Sequence, residues 1–231
     1  FRSFDVAEQY YLTVREQLST LKTPLDTINL SLKMGENYLR SDRLNLALRE
    51  LIEGYWLAID SDNAKYIAQS NHLLADLYFK RQMYDKAQEH LSQAASFYGN
   101  YEQSPIFATV LRKLADVYFI QGRYNLALVH YFNVLDQEGG EKDLEQIIEL
   151  RLKLSDTYLN LFNYTLAERY LNRAKELIEY TELDSQKITV KLLSARLNFL
   201  KEDSKSAEIL AKEALTLSQN LNDLDIQLQI D

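Results

Sequence analysis

The sequence predicts an all-α fold, a line of antiparallel helix hairpins. Three features of its 231 residues carry that prediction: a forty-residue internal period, helical apolar spacing inside each period, and few helix breakers. Four columns define the period. Gly35, Ala75, Ala115, Ser155 and Ala195 make a column of small residues, and Tyr38, Tyr78, Tyr118 and Tyr158 follow three residues later, interrupted only by Asn198. Ala47, Ala87, Ala127, Ala167 and Ala207 form the third, and Leu51, Leu91, Tyr131, Leu171 and Ala211 the fourth. Small side chains at a crossing let two helices approach to roughly 8–10 Å, and tyrosine adds a large apolar body with a polar tip.

The elements follow in order. Phe4, Ala7 and Tyr11 stand forty residues before Leu44, Ala47 and Leu51, so residues 1–22 are expected to be the second helix of an earlier, partial unit. Residues 23–60 open with Thr23 before Pro24, an N-cap followed by proline at the first helical position, and break at Ser41-Asp42-Arg43. In residues 61–101, Leu73, Leu74, Leu77 and Tyr78 give one helical face and Ala87, Leu91, Ala94 and Ala95 another, parted at Arg81-Gln82-Met83. Residues 102–140 open with Ser104-Pro105, break at Gln121-Gly122-Arg123 and stop at Gly139-Gly140. Residues 141–182 break at Leu161-Phe162-Asn163 and residues 183–221 at Glu202-Asp203-Ser204, while residues 222–231 open a further partial unit. With no low-complexity stretch or linker, all 231 residues read as a single repeat domain. Its ragged ends would expose apolar faces that a neighbouring segment or a second copy would cover.

Composition narrows the function. Six Gly and two Pro suit long helices and short turns. A net charge of −8, with no basic stripe, argues against a nucleic-acid partner. The absence of Cys removes disulfides and thiolate metal sites and fits either a cytoplasmic or a periplasmic home. No apolar run approaches the ~20 residues of a membrane span, so no direct membrane contact is expected. The chain opens at Phe1 rather than Met and is expected to be a piece of a longer protein.

The columns carry a family resemblance. Leu74–Leu91 (LADLYFKRQMYDKAQEHL), Leu114–Tyr131 (LADVYFIQGRYNLALVHY) and Leu154–Leu171 (LSDTYLNLFNYTLAERYL) each place a small residue and an aromatic three apart, then an aromatic shortly before alanine. Met34–Leu51 follows the pattern less closely, and the last unit least, with Asn198 and Ser204 at aromatic positions. This pattern resembles that of tetratricopeptide repeat (TPR) proteins over most of residues 28–220. The usual tryptophan of the first helix is replaced by Ser31, Asn71, Leu111, Arg151 and Lys191, the usual closing proline is missing, and the unit is longer than common. The resemblance implies a right-handed superhelical solenoid of about five full repeats plus partial ones. It also implies a role in binding proteins or peptides, often within bacterial signalling proteins.

In such stacks the first helix of each unit lines the concave face, which locates a candidate groove. One row along it reads Glu36, Asp76, Asp116, Asp156 and Arg196; three residues on runs Leu39, Phe79, Phe119, Leu159 and Phe199. Nearly one helical turn separates the rows, so they lie side by side, with Asn160 next along. Acid beside aromatic suits a basic or amphipathic segment, steered by carboxylates and anchored by rings. The same rows also describe a solvated face beside a packed hairpin interior. His72 and Arg112, one turn before Asp76 and Asp116, are placed to pair with those acids.

Chemistry is sparse elsewhere. His72, His90 and His130 fall on different units, and no metal-ligand spacing, glycine-rich phosphate loop or nucleophile elbow occurs, so neither catalysis nor a metal or cofactor is expected. His90 and His130 share a repeat position expected at the surface, and Trp56 beside Tyr55 is expected to pack at a helix end, with an exposed interface anchor as the alternative. The expectation is a non-enzymatic protein-binding scaffold. The alternative is a sensory input segment of a larger bacterial signalling protein, of nucleotide-cyclase or histidine-kinase type, whose output domain lies outside this sequence.

Overall fold

The computed structural model describes residues 2–21, 24–100, 105–137, 144–181 and 183–221. Every regular element among them is α-helical. The chain divides into two compact units, Phe1–Gln121 and Gly122–Asp231.

The first unit holds α1 (Arg2–Leu21), α2 (Pro24–Arg40), α3 (Leu44–Asp60), α4 (Ala64–Lys80), α5 (Tyr84–Tyr98) and α6 (Pro105–Ile120). Its most extensive contacts are within the hairpins α2/α3 and α4/α5; successive hairpins meet through α3/α4 and α5/α6, and the first helices α2 and α4 also touch. One core gathers Ile28, Leu32, Met34, Ala47, Leu51 and Leu74, and another gathers Ala75, Ala87, Leu91, Ala94 and Val117. The second unit holds α7 (Tyr124–Gln137), α8 (Leu144–Asn160), α9 (Tyr164–Ile178), α10 (Asp184–Leu200) and α11 (Ser204–Leu221). The hairpins α8/α9 and α10/α11 dominate there, and α8 touches α10 as α2 touches α4. Its core combines Ile148, Leu159, Ala167, Leu171, Ala174 and Leu197.

The small columns do what their size suggests. Ala75, Ala115, Ala47, Ala87, Ala127 and Ala167 are all buried at helix crossings. Gly35 has no spare room, since a Cβ there would stand 2.4 Å from a methyl of Leu51.

Each first helix stops by the same device. The amide of Arg43 donates to the Tyr38 carbonyl at 2.9 Å, and Met83–Tyr78, Asn163–Tyr158 and Asp203–Asn198 repeat the bond at the same distance. One residue earlier, Asp42, Gln82, Phe162 and Glu202 donate to Leu39, Phe79, Leu159 and Phe199, and all four adopt positive φ. These paired bonds are Schellman motifs, with the left-handed residue just past the helix. Gly122 occupies the matching place with φ +73°. The turns therefore recur at 41, 81, 121, 161 and 201, so the last falls one residue before the expected Glu202-Asp203-Ser204. Asn63, Asn163 and Asp203 then cap the helices that follow, accepting from Tyr66, Leu166 and Ser206.

Helices α2 and α6 begin at Pro24 and Pro105 as expected. The proposed caps Thr23 and Ser104, the Gly139-Gly140 stop and the partial unit at 222–231 lie outside the described residues.

Candidate functional site

The tyrosine column looks across to the residue twelve positions later on the second helix. Tyr78 stacks on His90 with centroids 5.3 Å apart, and Tyr158 stacks on Tyr170 at 5.6 Å. His90 is therefore half-buried rather than at the surface: its Nδ1–H donates to Asn71 Oδ1 at 2.7 Å, and Asn71 Nδ2 donates to the Ile67 carbonyl. Burial pushes the His90 imidazole below its usual pKa, with Lys86 adding to the shift and Glu89 opposing it. His130 is likewise partly buried, with its pKa lowered by burial. The expected surface position is corrected for both histidines, and for His90 the reason is the Tyr78 ring opposite, which supplies a surface to pack against. In the first hairpin the same place belongs to Glu50, a carboxylate with 0% exposure held by Arg15 of α1 and by Arg49. Nothing but the register, twelve residues after Tyr38, signals that burial in the sequence. Trp56 follows the alternative rather than the packed helix end: it is 58% exposed, in an edge-type ring contact with Tyr55.

A groove of about 760 Å³ runs across α2, α4 and α6 in the first unit. It brings together Glu36, His72, Asp76, Phe79 and Asp116, five of the sequence-derived candidates. Glu36, Asp76 and Asp116 share one repeat position, with His72 and Phe79 about a turn to either side of Asp76, and equal places on successive first helices face the same way. The floor is apolar: Leu39, Leu73, Ala75 and Leu91, with Phe4 contributed by α1. Phe79 is held edge-on by Tyr84 at 5.6 Å. Three cations not singled out from sequence, Arg40, Lys80 and Lys113, complete the lining.

These cations change the electrostatics. Glu36 pairs with Arg40 at 2.8 Å and Lys33 at 3.1 Å, and Lys80 reaches Asp42 at 3.2 Å. Asp76 pairs with Lys113 of α6, not with His72 one turn away on its own helix; Lys113 Nζ also donates to His72 Nε2 at 3.0 Å. Burial first, and then the Lys113 ammonium, push the His72 pKa down, with Asp76 and Glu36 opposing. Three carboxylates and three cations line the groove, so with His72 neutral it carries no net charge.

The remaining candidates lie apart. Arg112 and Phe119 sit on α6 but do not line the groove. Asp156 and Asn160 are in the second unit, joined by Arg196, whose Nη2 donates to Asn160 Oδ1 at 2.9 Å. Burial pushes the Asp156 pKa up, outweighing Arg196 and Lys153. Asp156 lines a smaller cavity of about 340 Å³ with Lys153, Gln186 and Thr189. Among the described residues, no three His, Asp or Glu side chains converge to hold a metal ion, and no helix is long and apolar enough to cross a membrane.

Residues 66–131 match the family model for the tetratricopeptide repeat. The fold of the chain is that of a TPR-like helical repeat. This TPR-like chain is similar to the crystal structure of BtubC from P. vanneervenii, at 16% identity over 96% of this chain and 92% of that one, with a TM-score of 0.77. The apo form of the quorum sensor NprR from B. thuringiensis is 14% identical over 97% of this chain and 65% of its own, with a TM-score of 0.72. YrrB, described as a TPR protein with an unusual peptide-binding site, is 15% identical over 93% and 95%, with a TM-score of 0.61. At these identities the similarity is one of fold. No curated protein matches the chain in sequence.

Proposed function

We propose that this chain is a non-enzymatic binding scaffold whose groove across α2, α4 and α6 receives an amphipathic peptide or helix from a protein partner. The observation that carries the reading is the groove's make-up, an apolar floor edged by carboxylates and cations in equal number. A strongly basic ligand would gain little, because the acids already have partners. An apolar side chain seated on Leu73 and Phe79, flanked by charges of either sign, gains burial without stranding a charge. The peptide-binding site named for YrrB supports the same use of the fold. Phe79→Glu tests the reading, with helicity checked by circular dichroism. It is expected to abolish capture of the partners that the parent protein retains from a lysate, identified by mass spectrometry. An unchanged set of captured proteins, with helicity intact, defeats the proposal. Reversing Asp76 and Asp116 to Lys is expected to change which partners are kept rather than whether any are.

A second reading, an input segment of a larger bacterial signalling protein, is favoured by the fold shared with a quorum sensor of which this chain spans about two thirds. The full coding sequence decides it: an output domain encoded alongside this segment supports it, and the lack of one refutes it.

A further inference from the structure

Inside the groove, one imidazole stands between two ways of placing a lysine. Lys113 of α6 crosses to Asp76 of α4 and at the same time donates to His72 Nε2 at 3.0 Å. That donation requires an unprotonated Nε2, so the neutral tautomer carries its hydrogen on Nδ1. Asp116, three residues after Lys113 on the same helix and in the same groove, offers the ammonium a second carboxylate that does not cross between helices. Of the other groups facing this place, α2 supplies Glu36 and Arg40, already joined to each other, and α5 contributes only Leu91 to the lining among the described residues.

Resting on the groove as the binding site, we propose that occupancy is gated by acid: protonation of His72 turns Lys113 away from Asp76, undoes the α4–α6 link and loosens the groove. The proton goes to Nε2, which changes from acceptor to donor. It then competes for Asp76, leaving two cations where one carboxylate had served one. Lys113 relaxes toward Asp116 along its own helix. Burial of His72 and the adjacent ammonium both oppose protonation, which puts the transition below the ordinary histidine value of 6.5. The groove is therefore braced by its lysine at neutral pH, where it binds, and loosened in mildly acidic conditions, where it lets its occupant go.

Two measurements test the gate without any ligand. In NMR titrations, Lys113→Met is expected to raise the His72 pKa toward 6.5, because the opposing cation is gone; an unmoved value overturns the proposal. Because the chain has no Cys, spin labels can be placed at Lys80→Cys and Ile120→Cys, at the ends of α4 and α6. Between roughly pH 7.5 and roughly pH 5 their distance distribution is expected to lengthen and broaden in the parent, but to stay fixed with His72→Gln, whose amide accepts from Lys113 at either pH. No change in the parent, or an equal change in His72→Gln, also overturns it. Partner capture by the Phe79→Glu protein at neutral pH reports on the groove alone, so a failed gate leaves that reading standing, and a failed capture leaves the gate measurements valid.

Discussion

Hairpins α2/α3 and α8/α9 solve one packing problem with opposite chemistry. Beneath Tyr158 the second helix offers Tyr170, ring on ring. At the matching place beneath Tyr38 it offers Glu50, a fully buried carboxylate that depends on Arg15 from α1. Tyr38 meanwhile donates its hydroxyl to Glu8 of α1 at 2.7 Å, and burial followed by that bond pushes its pKa up to about 12. Glu8 and Asp5 hold Arg43 in the turn as well. The first hairpin is thus tied to its neighbour by charge, whereas α8/α9 closes on itself by stacking. A stack tolerates loss of a neighbour; a buried charge does not.

The sharpest way to break this contrast is Arg15→Ala. It strands Glu50 with only the exposed Arg49, and is expected to destabilise the protein by about 2–3 kcal/mol in urea unfolding. Tyr170→Leu in the other hairpin should remove about 1 kcal/mol, the value of an aromatic pair beyond its area. Equal losses would show that Glu50 is not the liability its burial implies. Replacing both members, Arg15→Met with Glu50→Leu, is expected to restore stability.

The small-residue column gives the next test. Gly35→Ala drives a methyl into Leu51 and is expected to destabilise by about 1–3 kcal/mol. Ser155, its counterpart, instead donates its hydroxyl to the Ala167 carbonyl at 2.8 Å, so Ser155→Ala should lose only about 1 kcal/mol. The turns sharpen the comparison further. Phe162 holds φ +57° while 74% exposed, so Phe162→Gly relieves backbone strain with little loss of burial and should stabilise by about 1 kcal/mol in thermal unfolding. Gly122→Ala, at φ +73°, should have the opposite sign and similar size.

The smallest effect is that of pH. His72, His90 and His130 all have folded pKa values below 6.5, so the unfolded chain binds protons first as acid is added. Stability should be undiminished by these groups above about pH 6.5 and fall below it. Replacing all three with Gln is expected to flatten that part of a urea-midpoint profile; an unchanged slope would assign it to the carboxylates.

The all-helical hairpins and the turns at 41, 81, 121 and 161 could be read from sequence because each depends on residues close together along the chain: small columns, polar breaks and few helix breakers. The groove was half legible. Equal repeat positions brought Glu36, Asp76 and Asp116 into one row with Phe79 in the row beside it, but the cation that Asp76 takes comes from a helix about forty residues away. Lys113 therefore displaced His72 as the partner of Asp76. The burial of Glu50 and the packing of His90 escaped for the same reason, since each is decided by the helix opposite.

One feature of the turns has a use in the laboratory. The Schellman closure is written almost wholly in main-chain bonds and forms with Asp, Gln, Phe or Glu at its left-handed position, where Gly is not strictly required. Those sites recur every forty residues in a chain with no native thiol. Single cysteines introduced there would give attachment points for dyes or surfaces at matching places in each hairpin, leaving the side chains of the hairpin interiors as they are.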